Sequence, residues 1–431
     1  MLQAATGAHR ETDVSYPGWR VVAAGFFGVM LGYSVLIPYT FGLFLKPLSA
    51  AFGWHRDSIS IAFGCVAITI ALCSPVVGRF LDRYGPRRTI LSCIVIFSLA
   101  FASLALLTSN IRHLYLVFVV LGLAGNGTTQ LAYSRTVATW FTARRGLAFS
   151  VISCGAGVGA MTLPLLAAWL IRSYGWRTAY AVLGALVLAV SFPLAALLVR
   201  ESPQSVKPLA RVSRDWQPIR NALRARPFIF LILAIFLYSV SFNAIVSHLA
   251  ALLMDRGFSL QQSAEAVSVL GACGLAGRLL TGFLLDRFFA PAVSLSLFCV
   301  TAVGVLLLSG LWVPGVYLAA AMLGFAAGGE SDITPYLIAR YFGLRGLSTL
   351  YGIAWTAFAA GTAAGPVLMG RLYVATGSYK ASGVQLLAVP VVVSAVLMAL
   401  MPRYPNASGN GVAQSQQELE EHLFPAAISN L

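Results

Sequence analysis

Gly78-Arg79-Phe80-Leu81-Asp82-Arg83 is a six-residue stretch that occurs again, slightly altered, as Gly282-Phe283-Leu284-Leu285-Asp286-Arg287 about two hundred positions later. Both copies lie where an apolar segment ends, and the first continues as Tyr84-Gly85-Pro86-Arg87-Arg88. A repeat at half the chain length indicates two similar halves. In a strongly apolar chain, two such halves with a polar site between them are the plan of an alternating-access transporter.

The composition places the chain in a membrane. Of its 431 residues, 58% are hydrophobic and only 10% are charged, whereas soluble domains carry about 25% charged residues. A transmembrane helix needs about 20 apolar residues, and twelve stretches qualify. We label these predicted helices α1 to α12, at approximately 19–45, 57–81, 88–108, 113–139, 145–171, 176–199, 227–253, 262–285, 290–311, 315–340, 346–372 and 381–401. The runs are too uniformly apolar for a β-barrel, so the predicted fold is all-α.

Polar segments divide the predicted helices into two pseudo-symmetric six-helix bundles. We expect an N-terminal segment over 1–18, a first bundle over 19–199, a basic linker over 200–226, a second bundle over 227–401 and a tail over 402–431. The linker carries seven basic residues and has room for a short surface helix.

The net charge of +15 is unevenly distributed along the chain. With a cytoplasmic N-terminus, the cytoplasmic segments hold 20 of the 29 Lys and Arg residues and the outer segments hold eight, while Arg278 lies inside a helix. This positive-inside pattern predicts that both termini and the linker are cytoplasmic. We expect a multi-pass protein of a bacterial inner membrane. The excess charge is explained by topology and anionic lipid, so no nucleic-acid partner is expected.

The residues that usually carry chemistry do not form an enzyme's active site. The six cysteines lie inside predicted helices without metal-ligand spacing, and the five histidines are scattered. No metal, cofactor or disulfide is therefore expected. The first apolar run is too long for a signal peptide and is expected to remain as α1.

The stretch from Gly78 to Arg88 resembles the loop 2–3 signature of the major facilitator superfamily, Gly-x-x-x-Asp-Arg-x-Gly-x-Arg-Arg. The resemblance implies a twelve-helix fold and a latch that stabilises one conformational state. The alternative is a loop that only sets topology. The latch candidates, taken from both copies of the repeat, are Gly78, Asp82, Arg83, Gly85, Arg87, Arg88, Gly282, Asp286 and Arg287.

Shorter stretches resemble the monocarboxylate and oxalate/formate transporter branch of that superfamily. They are Tyr16-Pro17-Gly18-Trp19-Arg20-Val21-Val22 before α1, Trp140 to Gly159 at α5, and Gly274-Leu275-Ala276-Gly277-Arg278 in α8. In that branch the α8 arginine binds the substrate carboxylate, so the resemblance implies this role for Arg278.

Arg278 is also unusual on physical grounds. It precedes Asp286 by eight residues, which at about 1.5 Å per residue puts it roughly 12 Å inside the helix end. An arginine near mid-membrane costs about 2.5 kcal/mol or more unless it is paired or faces water. Its planar fork suits a carboxylate, which it can hold through two parallel hydrogen bonds. The alternative role is that of a structural partner for a buried acid.

Acids of this kind occur in α10, in Gly328-Gly329-Glu330-Ser331-Asp332-Ile333-Thr334-Pro335. Glycine pairs and proline can interrupt a helix and line a cavity. Glu330 and Asp332 are proton-coupling candidates, because burial suits a carboxyl to carry a proton. His248 in α7 is a third, because histidine titrates near neutral pH. Fixed pairing with an arginine is the alternative for the acids.

The sequence departs from the branch pattern at three positions. Animal monocarboxylate transporters have a lysine where this chain has Tyr39 and an acid where it has Gly274, and oxalate transporters have a lysine near Phe358. Proton coupling by a lysine–acid pair is therefore not implied for this chain. One central cation balances a monocarboxylate better than a dianion.

Other polar side chains are candidates to line the substrate path, with hydrogen bonding between helices as the alternative. They are Tyr33 and Tyr39 in α1, Asn126, Gln130 and Tyr133 in α4, and Asn243 in α7.

These patterns predict a monomeric secondary transporter that moves a small organic anion, foremost a monocarboxylate, together with protons. Carboxylate exchange without proton coupling is one alternative. Efflux of an amphipathic drug-like compound is another, and Arg278 would then be only structural.

Overall fold

The computed structural model describes Asp13 and residues 16–141, 145–200, 217–285, 287–309, 313–342, 347–377, 379 and 381–404. Asp286 lies outside the described residues. The side chains of Asp82 and Asp332, which lie inside helices, are also outside the description.

Every regular element in this described part is helical, and helix occupies each of the twelve predicted stretches. The bounds are Pro17–Met30 and Tyr33–Phe52 for α1, Arg56–Tyr84 for α2, Pro86–Ser103 for α3, Ile111–Gly125 and Gln130–Trp140 for α4, Arg145–Leu186 for α5 with the start of α6, Val187–Ser191 and Phe192–Leu198 for the rest of α6, Arg226–Asp255 for α7, Leu260–Leu285 for α8, Ala290–Leu308 for α9, Val313–Phe342 for α10, Leu347–Thr376 for α11, and Ala381–Leu386 and Ala388–Ala399 for α12. Gly175, with a φ of 83°, separates α5 from α6.

Length and hydropathy agree with a membrane protein. Nine continuous helical stretches of the described chain are long and apolar enough to cross a bilayer. The two longest hold more than one α-helical segment: Leu147–Leu198 contains most of α5 and α6, and Pro17–Phe52 contains both parts of α1. The linker holds the expected short helix, Gln217–Arg224.

The two ends of the bundle are distinguished by their connections. We call the end where α6 finishes and α7 begins the linker end. There the Trp140 indole donates to the Arg200 carbonyl at 2.7 Å, and the Tyr16 hydroxyl donates to the Trp140 carbonyl at 2.5 Å. We call the opposite end, where α1 and α7 finish, the far end.

Helices α1 and α4 are both interrupted inside their predicted spans. The α1 helix stops at Met30 and restarts at Tyr33, whose backbone N–H donates to the Thr128 hydroxyl at 3.1 Å. Thr128 belongs to a 3₁₀ turn between the two segments of α4. The breaks meet at Gly32, where a Cβ would lie 2.3 Å from the Thr128 carbonyl oxygen, so only glycine fits this contact.

Helix α10 is continuous from Val313 to Phe342, and its glycine pair does not interrupt it. The pair instead lets α8 approach. A Cβ at Gly328 would lie 1.8 Å from the Gly274 carbonyl oxygen and 3.0 Å from the Arg278 backbone nitrogen. Small residues at such crossings let two membrane helices pack backbone to backbone. Gly328 therefore fixes α8, and with it Arg278, against α10.

Buried apolar side chains of the described residues form two clusters. The larger includes the first bundle and the far-end portions of the second, for example Leu249, Val267 and Met369. The smaller contains linker-end residues of the second bundle, such as Ile235, Leu297 and Leu337. The two bundles therefore share one apolar core at the far end and have separate cores at the linker end.

Candidate functional site

Arg278 lies between the two bundles. It is half-buried on α8, and its charge acts on the Tyr39 hydroxyl of α1, which is also half-buried. The neighbouring helices come from opposite halves, since α5 packs on α8 where Gly157 contacts Leu275. The structure thus brings two of the predicted binding residues together, one from each bundle.

Glu330 lies on α10, the helix that packs against α8. Its side chain is 8% exposed, and it accepts a hydrogen bond from the Thr334 hydroxyl at 3.3 Å. It also interacts electrostatically with the hydroxyl of Tyr238 on α7, which in turn interacts with Tyr39. Arg278, Tyr39, Tyr238 and Glu330 therefore form one connected group of charged and hydroxyl-bearing side chains.

Tyr238 is the member of this group that the sequence reasoning missed. It is buried and stacks on Phe242, with ring centroids 5.7 Å apart. A signal was available, because Tyr238 precedes the predicted residue Asn243 by five positions in the same helix.

Three predicted binding residues lie at the breaks of the first bundle. Tyr33 opens the second segment of α1 and is half-buried. Asn126 is buried at the α4 break, where its amide donates to the Ile70 carbonyl of α2 at 2.9 Å. Gln130 follows the break and accepts a hydrogen bond from the Ser153 hydroxyl of α5 at 3.0 Å. Asn126 and Gln130 thus hold neighbouring helices against the interrupted one.

Two other candidates lie inside the bundles. Tyr133 is fully buried, and its hydroxyl occupies the space next to Gly28 of α1. Asn243 is buried and donates to the Ser239 carbonyl and hydroxyl at 2.9 and 3.1 Å. Ser239 donates in turn to the Phe358 carbonyl of α11 at 2.7 Å. Asn243 therefore takes part in a hydrogen-bonded contact between α7 and α11.

His248 lies at the far end, away from Arg278, in a contact between the two bundles. Its side chain is fully buried. The Nε2 atom is 3.0 Å from the Ser60 hydroxyl of α2 and 3.1 Å from the Pro366 carbonyl, and Nδ1 is 2.6 Å from the Tyr379 hydroxyl.

An ion pair closes the same end. Arg56 of α2 donates two hydrogen bonds to the Asp255 carboxylate of α7, at 2.7 and 2.8 Å. The guanidinium lies 4.2 Å from the Tyr373 ring centroid and 5.2 Å from that of Tyr379. Lys46 of α1 is a more distant partner of Asp255, at 3.8 Å. A bidentate pair of this kind is geometrically specific. Neither Arg56 nor Asp255 was among the residues predicted from the sequence.

The predicted latch lies at the linker end. Gly78 and Gly282 are inside α2 and α8, and Gly85, with a φ of 83°, forms the turn from α2 to α3. The other members whose side chains are described are basic. Arg87 donates to the Ala196 carbonyl of α6 at 2.5 Å, Arg83 and Arg287 lie over the rings of Tyr84 and Phe283, and Arg88 is exposed.

The sequence profile of the Major Facilitator Superfamily matches residues 22–366. The chain belongs to the major facilitator superfamily. This superfamily member is therefore a multi-pass membrane transporter and not an enzyme, as predicted.

Curated relatives of this superfamily member include three transporters of similar length. Monocarboxylate transporter 13 of Rattus norvegicus is 28% identical over 387 residues, which cover 89% of each chain. Monocarboxylate transporter 11 of Homo sapiens is 28% identical over 388 residues, covering 85% of this chain and 79% of the relative. The MFS-type transporter YhjX of Escherichia coli is 27% identical over 330 residues, covering 75% and 81%. The predicted resemblance to the monocarboxylate transporter branch is confirmed.

Solved structures confirm the fold of this superfamily member. An inward-facing, occupied bacterial homologue of the human lysosomal transporter Spinster matches with a TM-score of 0.70 and 17% identity, over 91% of this chain and 97% of that one. The nucleoside transporter NupG, solved as a point mutant, matches with a TM-score of 0.72 and 13% identity, over 89% and 99%.

Proposed function

We propose that this transporter moves a small monocarboxylate together with a proton, with Arg278 as the carboxylate-binding residue. The observation that carries the proposal is the position of Arg278, half-buried in α8 and within electrostatic reach of Tyr39 from the other bundle. A cation at this place binds an anion where the two halves meet, so that relative motion of the halves moves the bound anion.

The proposed charge of the substrate follows from the charges around the site. Tyr39 takes the place of the lysine found in animal monocarboxylate transporters, and it contributes a hydroxyl rather than a second cation. A single guanidinium neutralises one carboxylate through two parallel hydrogen bonds. The names of the relatives from Rattus norvegicus and Homo sapiens agree with this substrate class.

Glu330 is the proposed carrier of the coupled proton. It is buried on α10, two residues after Gly328, which contacts the backbone of α8 just before Arg278. The acid that animal monocarboxylate transporters carry in α8 is Gly274 here, so we assign its role to α10. A buried carboxyl near a binding arginine is suited to gain a proton as the substrate binds. Asp332 stays a second candidate for this role.

The proposed topology puts the linker end in the cytoplasm. The excess of Lys and Arg at that end supports this orientation, with both termini cytoplasmic and a bacterial inner membrane as the location. The two bundles share a core at the far end and have separate cores at the linker end. We therefore assign the structure to the inward-facing side of the transport cycle, acting as a monomer.

The test is uptake of a panel of radiolabelled carboxylates into proteoliposomes, with and without an inward proton gradient. We expect gradient-driven accumulation of a monocarboxylate by the wild type. Replacing Arg278 by alanine should lower kcat/KM on the order of 100-fold, because a hydrogen bond to a charged group contributes roughly 1.5–3 kcal/mol. Arg340→Ala, an exposed arginine of α10, is the matched control and should transport normally.

Three outcomes would contradict the proposal. Saturable carboxylate uptake by Arg278→Ala at the wild-type rate would remove the site assignment. Counterflow in preloaded vesicles without any response to the proton gradient would favour carboxylate exchange. Transport of amphipathic drug-like compounds that does not depend on Arg278 would favour efflux.

A further inference from the structure

The far end holds a buried histidine, His248, between the two bundles, and its hydrogen bonds determine which ring nitrogen carries the hydrogen. The Pro366 carbonyl can only accept, so His248 Nε2 carries a hydrogen and donates to it at 3.1 Å. The Ser60 hydroxyl donates to the Arg56 carbonyl at 2.6 Å, so it also faces Nε2 as an acceptor. Nδ1 then accepts from the Tyr379 hydroxyl at 2.6 Å. Neutral histidine satisfies every one of these contacts.

Tyr379 is suited to be the donor in this pair. Its side chain lies after α11, and burial raises the pKa of its hydroxyl above the usual range. The hydroxyl therefore keeps its hydrogen. The guanidinium of Arg56 also acts electrostatically on the Tyr379 oxygen, which favours the arrangement in which that hydrogen points away from Arg56 and toward Nδ1.

The surrounding charges oppose a second proton on His248 while the far end is closed. Arg56 and Asp255 form a bidentate pair, so their charges cancel. Other titratable groups of the described residues at this end include Lys46 of α1, His55 and Asp57 at the start of α2, Tyr115 of α4, Arg177 of α6, Arg256 after α7, and Arg371 and Tyr373 of α11. An imidazolium would be an uncompensated positive charge in a fully buried site, next to Arg56, and such charges are costly.

When the bundles separate at this end, the surroundings of His248 change from opposing a second proton to favouring it. Arg56 and Ser60 belong to the first bundle, whereas His248, Asp255 and Tyr379 belong to the second. On opening, Arg56 leaves and Asp255 stays behind without it. Asp255 follows His248 by seven residues, which is two turns of the same helix face, about 10 Å along the axis. His248 would then face water, a negative charge, and a Tyr379 oxygen that is free to accept a hydrogen bond from Nδ1.

We propose that His248 is a proton-binding site that controls the far end: it is neutral while the bundles are joined there and binds a proton when they separate. Acid therefore favours opening, by linkage. The inference rests on the alternating motion of the proposed function but not on its cargo, and it assigns His248 a role separate from that of Glu330.

The test is hydrogen–deuterium exchange of the full chain in lipid nanodiscs without substrate, at pH 7.5 and 5.5. A water-exposed histidine of ordinary pKa, about 6.5, passes from mostly neutral to mostly charged over this range. The opening equilibrium of segments 46–60 and 248–258 should therefore rise about ten-fold in the wild type, after division by the intrinsic exchange rate. His248→Gln, which keeps a neutral donor and an acceptor, should remove this response.

His55→Gln is the matched control, because His55 is an exposed histidine at the same end. It should respond to acid like the wild type. Tyr379→Phe removes the hydroxyl that donates to His248 Nδ1. Its far-end segments should therefore exchange faster than those of the wild type already at pH 7.5, and they should keep the ten-fold response to acid. If His248→Gln does not fold, this variant tests the proposal in its place. A full acid response in His248→Gln, or none in wild type, overturns the proposal, and the former would indicate Asp255 as the titrating group. Failure of carboxylate transport would leave these measurements unaffected.

Discussion

The two bundles are related by a sequence repeat, yet they contribute to the central site in different ways. The first bundle interrupts α1 and α4, and the two breaks meet where Tyr33 donates to Thr128. The second bundle keeps α7 and α10 continuous, and Gly328 of α10, two residues before Glu330, packs against the backbone of Arg278.

The difference shows two ways of making polarity inside a bilayer. An interrupted helix exposes backbone groups, which need no charged side chain but must be satisfied locally, here by the hydroxyls of Thr128 and Thr129. A continuous helix satisfies its own backbone and leaves polarity to ionisable side chains, which are costly there and are placed for function. We infer that the first bundle shapes the site and the second supplies its charge.

The largest effect expected from this division concerns Glu330. Glu330→Gln removes the proposed proton carrier while keeping size and hydrogen bonding. We expect gradient-driven accumulation to be abolished while exchange between preloaded and external substrate continues. Glu265→Gln, which alters an α8 carboxylate that accepts from Tyr317 at 3.3 Å, should leave accumulation unchanged. Accumulation by Glu330→Gln at the wild-type level would move the proton elsewhere.

The next effect concerns the α8–α10 contact that positions Arg278. A methyl group at Gly328 would meet backbone atoms of α8 that no side-chain rotation can move away. Gly328→Ala should therefore lower stability by about 3 kcal/mol, measured by thermal unfolding in detergent. The control is Gly352→Ala in α11, where the added methyl group meets nothing within 4 Å and stability should be unchanged or higher. Equal unfolding temperatures for the two variants would disprove the close-packing explanation.

A smaller effect is expected at the breaks of the first bundle. Thr128→Val keeps the shape of the side chain but removes the acceptor for Tyr33 and a donor to the Gly125 carbonyl at 2.8 Å. Loss of these bonds should cost about 1 kcal/mol. Thr356→Val in α11, which loses an exposed hydroxyl bonded within its own helix, should be nearly neutral. A larger loss for Thr356→Val would mean that the breaks are not held by Thr128.

The smallest effect should come from the outer ion pair between the bundles. Lys46 is half-exposed and lies 3.8 Å from Asp255, so Lys46→Ala should change the unfolding temperature little, by under about 0.5 kcal/mol of stability. Arg56→Lys, which replaces a bidentate partner of the same carboxylate, should cost clearly more. If both variants behave alike, Asp255 is not held mainly by Arg56.

The number of helices, the duplication and the place of Arg278 inside α8 could be predicted because they follow from the length and order of apolar runs. The α1 break could not, since Leu31 and Gly32 do not interrupt the hydropathy pattern and the contact that stabilises the break comes from 95 residues away. The α4 break had a signal, because Gly125-Asn126-Gly127-Thr128-Thr129 is a typical turn composition.

The role of the glycine pair in α10 could not be predicted either. A glycine pair permits both a broken helix and a close helix crossing, and the sequence around Gly328 does not distinguish them. The deciding partner is Gly274, on another helix. In the same way, Tyr133 and Asn243 are residue types that often line cavities, but neighbours far along the chain bury them here. Those neighbours could not be identified from the local sequence.

The one-residue corner at Gly175 has a consequence for biogenesis. Arg177 anchors the start of α6 to the carbonyls of Ala105 and Leu107 beyond α3, and no loop separates α5 from α6. We therefore expect these two helices to enter the bilayer together, as a single hairpin. An epitope tag or glycosylation acceptor placed at this corner should interfere with insertion itself.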